Sequence, residues 1–174
     1  MQAMKRTIRM MPAIVLFAVY MYALVKIILF KFGQVDLLFL WQRADAALDD
    51  VSRLHYRLHS ANLVPLRTIT GNLRSRSLYE YIQFYGNIGL FIPLGLFVPY
   101  FMRGRLPALL VYGAAIILSF ALCLMLESAQ LLCSIGQFDV DDLILNTAGG
   151  LLGCILYHLL AGTARSRKPA AALG

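Results

Sequence analysis

Apolar residues dominate four stretches of the chain, at about 11–32, 81–102, 106–126 and 143–161, and polar residues crowd the intervals between them. A helix needs roughly 20 mostly apolar residues to cross about 30 Å of hydrocarbon, so each stretch is expected to form a membrane-spanning helix. The first contains Lys26 and ends beside Lys31, whose stem can carry its ammonium to the headgroups. Lys5, Arg6 and Arg9 precede it as in a signal peptide, but the run is too long and no A-x-A site closes it, so an uncleaved span is expected. Pro93 and Pro99, with Gly86, Gly89 and Gly95, mark the second span for a kink. Pro107 suits the first turn of the third, where its missing N–H costs nothing. Gly149 and Gly153 form a small-xxx-small pair on the fourth that admits a neighbouring span or, in a homo-oligomer, a second copy.

Between spans one and two the period changes. Over 36–59, Leu37, Leu40, Trp41, Ala44, Leu48, Val51, Leu54 and Leu58 recur at three- and four-residue steps with charges between them, which predicts one amphipathic helix lying on the membrane or against the other helices. Pro65 ends this region by biasing Val64 toward extended backbone, and Gly71-Asn72 adds a turn signal. The fold class expected is an all-α membrane protein, a single domain over 1–174, with four transmembrane helices and an outer amphipathic helix between the first two. A basic tail, 162–174, follows.

Composition agrees: 60% apolar, 14% charged, mean hydropathy +0.70. That balance excludes a large soluble enzyme, a disulfide-built secreted module and an extensively disordered chain. Sixteen basic against nine acidic residues give +7, and their placement matters more than the sum. Lys5, Arg6, Arg9, Arg103, Arg105, Arg165, Arg167 and Lys168 all fall on one side of a four-span chain, whereas 132–142 has no basic residue and three aspartates. Basic flanks resist translocation, so both termini are expected in the cytoplasm and 132–142 outside, in a multi-pass protein of the cytoplasmic (inner) membrane. The long segment 33–78 is then outside as well, its six arginines interleaved with Asp36, Asp45, Asp49 and Asp50. Nucleic acid is not needed to explain the basic excess.

Charged and amide groups within apolar spans are expensive and draw functional attention. Four of the nine acids, Glu127, Asp139, Asp141 and Asp142, lie within sixteen residues. Glu127 and Gln130 share a face of span three, and Asp139, Asp142 and Asn146 share one of span four, with Asp141 pointing elsewhere. Asn87 lies about two turns inside span two. Asn87, Glu127, Gln130, Asp139, Asp142 and Asn146 are thus expected near the outer leaflet as one polar cluster. Asp139 and Asp142 alternatively cap span four, and Asn87 and Asn146 alternatively bond helix to helix. Glu127, at the end of span three, opposes the helix dipole and needs a proton or a cation, for which Arg67, Arg74 and Arg76 are available. His55 and His59 have metal-ligand spacing without a third ligand and read as a solvated face; no metal or cofactor is expected. His158 reads as interfacial, and Cys123, Cys133 and Cys154 as unpaired.

Asn62-Leu63-Val64-Pro65-Leu66-Arg67-Thr68-Ile69, Asn87-Ile88-Gly89-Leu90-Phe91-Ile92-Pro93-Leu94-Gly95, Glu127-Ser128-Ala129-Gln130 and 138–150 (FDVDDLILNTAGG) together resemble the VanZ-like family of small membrane proteins. Gly136-Gln137 departs from many relatives, which have an arginine in this turn, so a cation for the acids comes from elsewhere or is absent. The family is named for a teicoplanin-resistance protein. The resemblance therefore implies partners among membrane lipids, a lipid-linked envelope precursor or a lipoglycopeptide. Three functional classes stand: a binding or shielding protein, an intramembrane enzyme with Glu127 as general acid/base, and a transporter. The last is disfavoured because 108–120 and 151–160 are nearly apolar, whereas transport sites sit near the midplane.

Overall fold

The computed structural model describes residues 2–30, 36–49, 51–75, 77–102 and 106–166. Lys31, Arg76, Arg103, Arg105, Arg167 and Lys168, on which part of the charge reading rests, lie outside them. Seven helices are described: α1 (Gln2–Phe30), α2 (Leu37–Asp49), α3 (Val51–Ser60), α4 (Arg67–Ser75), α5 (Leu78–Met102), α6 (Ala108–Leu132) and α7 (Val140–Ser166). Four are long and apolar enough to cross a membrane, over Met10–Phe30, Leu78–Met102, Ala108–Leu132 and Val140–Gly162. At 1.5 Å per residue these run roughly 31–38 Å, the bilayer core plus a turn or so. The protein is an all-α, multi-pass membrane protein.

Over 36–59 helix is described at Leu37–Asp49 (α2) and Val51–Ser60 (α3), and Asp50 between them lies outside the described residues. Two expectations change, at Gly71-Asn72 and at the end of the third span. Gly71 and Asn72 make no turn but lie inside α4, a helix whose start is fixed by a tertiary contact described below. The third span continues to Leu132, so Glu127 sits within α6 rather than at its end.

The chain divides into two compact units, Met1–Ala61 with Met125–Phe138, and Asn62–Leu124 with Asp139–Gly174. In the first, the end of α6 is closed by a Schellman motif: Ile135 N–H donates to the Gln130 carbonyl (3.1 Å) and Ser134 N–H to that of Leu131 (3.3 Å). Ser134 takes the left-handed conformation, φ 57°, that glycine usually supplies there. Arg57 of α3 donates to the Gly136 carbonyl in this turn, and Cys133 Sγ lies 3.6 Å from the Leu40 carbonyl of α2.

In the second unit, α5 and α7 run parallel with their backbones in contact. A Cβ on Gly149 would lie 2.2 Å from the Ile88 carbonyl oxygen, and one on Gly153 2.1 Å from that of Ile92. The face of the small-residue pair is therefore covered by α5 of the same chain. α6 packs antiparallel on α7 near Gly150, where a Cβ would lie 1.9 Å from Ser119 Oγ. Val98, Val111, Ala115 and Cys154 form the buried apolar cluster below, with Met102 and Tyr112 against it.

Candidate functional site

The site is built where the chain enters α7. Asp139 precedes the helix and caps it, its Oδ1 accepting from the Asp141 N–H at 2.8 Å. Extended pairing ties this entry to the segment before α4, since Val140 N–H donates to the Asn62 carbonyl (3.0 Å) beside a parallel bridge between Asn62 and Asp139. Side chains reinforce it: Asn62 Nδ2 donates to Asp139 Oδ1 (2.8 Å) and Thr68 Oγ1 to Asp139 Oδ2 (2.7 Å).

Asp141 is fully buried. Its carboxylate receives three backbone N–H groups from the start of α4, Leu66 at 2.5 Å on Oδ1 and Thr68 and Ile69 at 2.6 and 3.1 Å on Oδ2. These are orphan donors of a helix N-terminus, where the dipole favours an anion. Val64-Pro65-Leu66-Arg67 closes as a turn, Arg67 N–H to Val64 carbonyl 3.4 Å, with proline second and Leu66 in the left-handed region at φ 67°. The Leu66 carbonyl accepts from both Thr70 N–H (2.9 Å) and Thr70 Oγ1 (2.7 Å), so an unfavourable conformation is held from both sides.

Asp142 is half-buried, and Asn87 Nδ2 of α5 donates to its Oδ1. One turn on, Asn146 is buried, and its Nδ2 lies 3.0 Å from Cys123 Sγ of α6. Arg67 is exposed at the first position of α4, and Arg74 is exposed in its last turn.

The sequence profile of the VanZ/LLP1 family matches residues 17–161, from α1 to α7. The chain belongs to the VanZ/LLP1 family. It is 33% identical over 146 residues to Protein VanZ of Enterococcus faecium, a match spanning 83% of this chain and 72% of that protein. No solved structure matches it.

The fold gives the VanZ-like motifs of the sequence separate tasks. The stretch from Asn62 to Ile69 and the two aspartates Asp139 and Asp141 hold each other, while Asn87, Asp142 and Asn146 face the α5 and α6 sides of α7. Asp141, which the sequence puts on another face than Asp142 and Asn146, is the anchor of α4. Lying off the α5 and α6 faces is what turns it toward the α4 amides. Asn62 and Thr68 were visible in the sequence only as motif letters, and an Asn or Thr next to Pro65 carries no signal of a partner more than 70 residues away.

Glu127 and Gln130 belong to the other unit. Glu127 is buried on α6, and Gln130 Nε2 donates to the Ile28 carbonyl of α1 (2.8 Å). The Gly136-Gln137 turn receives a guanidinium from Arg57. Cys123, Cys133 and Cys154 are buried and none is in a disulfide among the described residues, and burial pushes the Cys133 thiol above its ordinary value. Among the described residues no group of three His, Cys, Asp or Glu side chains is placed to hold a metal ion. His55 and His59 meet edge to face, ring centres 4.4 Å apart.

Proposed function

We propose that this VanZ/LLP1-family protein binds the headgroup of an envelope lipid, or of a lipid-linked precursor or lipoglycopeptide, at the start of α7, on the outer side of the cytoplasmic membrane. The supporting observation is how differently the three aspartates are used. Asp139 and Asp141 are consumed by Asn62, Thr68 and the α4 amides, whereas Asp142 is half-buried and takes Asn87 on one oxygen. Its second oxygen is an acceptor for a headgroup amine or hydroxyl, and the exposed Arg67 and Arg74 on α4 are available for a phosphate. Teicoplanin resistance follows on this reading if the occupied site keeps the drug from its lipid-linked target.

The test is mass analysis of lipids and glycan precursors retained by the purified full chain, comparing wild type with Asp142→Ala and Glu127→Ala. Wild type is expected to retain a headgroup species that Asp142→Ala loses. Identical retained and modified lipids in all three would sink the proposal. Turnover of a lipid that Glu127→Gln abolishes would instead favour an intramembrane enzyme with Glu127 as general acid/base.

A further inference from the structure

Below Asp142 the seam between α6 and α7 carries polar atoms that the protein itself leaves unmatched. Asn146 is 3% exposed and Ser119 0%, yet among the described residues Asn146 Oδ1 and Ser119 Oγ have no hydrogen-bond partner, and neither does the neighbouring Thr147 Oγ1. The Asn146 amide has only Cys123 Sγ beside it. Turning that amide over exchanges which end meets the sulfur and still leaves the other end unmatched.

Two rungs define the geometry. Cys123 faces Asn146, and Ser119 faces Gly150. Each pair of neighbours along its own helix is four residues apart, so the rungs stand roughly 6 Å from each other along the axis. An oxygen seated midway between the rungs lies about 3 Å from each along the axis, the long end of an O–H···O separation. Buried amides and hydroxyls within a membrane helix pair are rarely left unmatched, because lipid offers them no substitute for water. Gly150 is required here, since a Cβ would occupy the position of Ser119 Oγ.

We infer that the α6–α7 seam is a binding site for a single hydroxyl group, which donates to Asn146 Oδ1 and exchanges a hydrogen bond with Ser119 Oγ. Asn146 lies one turn below Asp142 on the same face of α7, so the site continues the Asp142 cluster into the membrane. The hydroxyl belongs either to a buried water or to a lipid polyol headgroup. The inference does not depend on which headgroup Asp142 meets.

Ser119→Ala in the full-length protein gives the decisive sign. Ser119 Oγ has no partner among the described residues, so in a dry seam its removal leaves the melting temperature unchanged or raises it. With a bridging hydroxyl the melting temperature falls by about 2–4 °C, the scale of one hydrogen bond in a chain of this size. This loss disappears in an Asn146→Leu background, whereas an effect of the Gly150 contact alone would persist. In wild type, water-edited solid-state NMR reads the Asn146 side-chain amide directly and needs no variant to fold. A cross-peak to water, with equal stabilisation by phosphatidylglycerol and by phosphatidylmethanol vesicles, assigns the hydroxyl to water. Stabilisation by phosphatidylglycerol only, lost in Ser119→Ala, assigns it to the headgroup. A neutral or stabilising Ser119→Ala, with no contact from water or from headgroup hydroxyl at Asn146, overturns the site.

Discussion

Asp141→Asn removes one charge and little volume from a fully buried position. The carboxylate accepts from Leu66, Thr68 and Ile69 N–H groups at 2.5, 2.6 and 3.1 Å. An asparagine offers one oxygen for the three, and its own NH2 must face at least one of the remaining donors. One or two buried N–H groups thus lose their acceptor, at about 1–3 kcal/mol each. Loss of the anion at the α4 N-terminus adds about 0.3–2 kcal/mol. The expected destabilisation is about 2–5 kcal/mol, a large share of the ~5–15 kcal/mol that holds most domains. For a chain of this size that is a fall in melting temperature of roughly 5–15 °C. The assay is thermal unfolding of the detergent-purified protein beside limited tryptic digestion, because Arg67 and Arg74 are exposed on the helix that should come loose. Cleavage there should accelerate well before global unfolding. A shift below about 2 °C, estimated on the same per-kcal/mol scale, with unchanged cleavage would refute the idea that Asp141 anchors α4.

Other expectations follow from single contacts. Gly149→Ala places a methyl 2.2 Å from a backbone oxygen of α5 that has no freedom to retreat, so folded yield should collapse, measured by monodispersity in detergent. Leu66→Gly relieves a left-handed leucine whose side chain is 53% exposed and should leave the melting temperature equal or higher, whereas Leu66→Ile should lower it. The buried Cys133, its thiol pushed up, should react slowly with a charged maleimide at neutral pH, which leaves a quiet background for topology mapping. Gln137→Cys, at an exposed position, should then label from outside the cell and a cysteine near Gly174 only from inside; labelling of both from one side would contradict the four-span topology.

The spans were legible because lipid demands length and apolarity, and both are counted directly along the chain. Boundaries were less so: the apolar run of span three stops near Leu126, but α6 continues through Glu127 and Gln130 to a Schellman turn, as hydrogen bonding rather than hydropathy ends a helix. The concentration of carboxylates before span four was also visible. Their division of labour was not. A period of 3.6 says which residues share a face of α7, as Asp142 and Asn146 do one turn apart. It says nothing of what covers the remaining faces, so the partners of Asp141, the amides of α4, had no sign in the sequence. The orphan atoms of Ser119 and Asn146 belong to the same class, since serine in an apolar helix gives no sign that its hydroxyl faces a glycine instead of its own backbone.

The central claim is that one acid serves a ligand while its neighbours serve the fold, and Asp142→Asn against Asp141→Asn separates the two. Native mass spectra of both variants, purified from the same membranes as wild type, report the bound species, and melting temperatures recorded alongside report the fold. The account predicts that Asp142→Asn melts close to wild type and has lost its headgroup-bearing lipid, while the folded fraction of Asp141→Asn melts lower and keeps it. Retention of the same lipid by Asp142→Asn at wild-type occupancy would contradict the account.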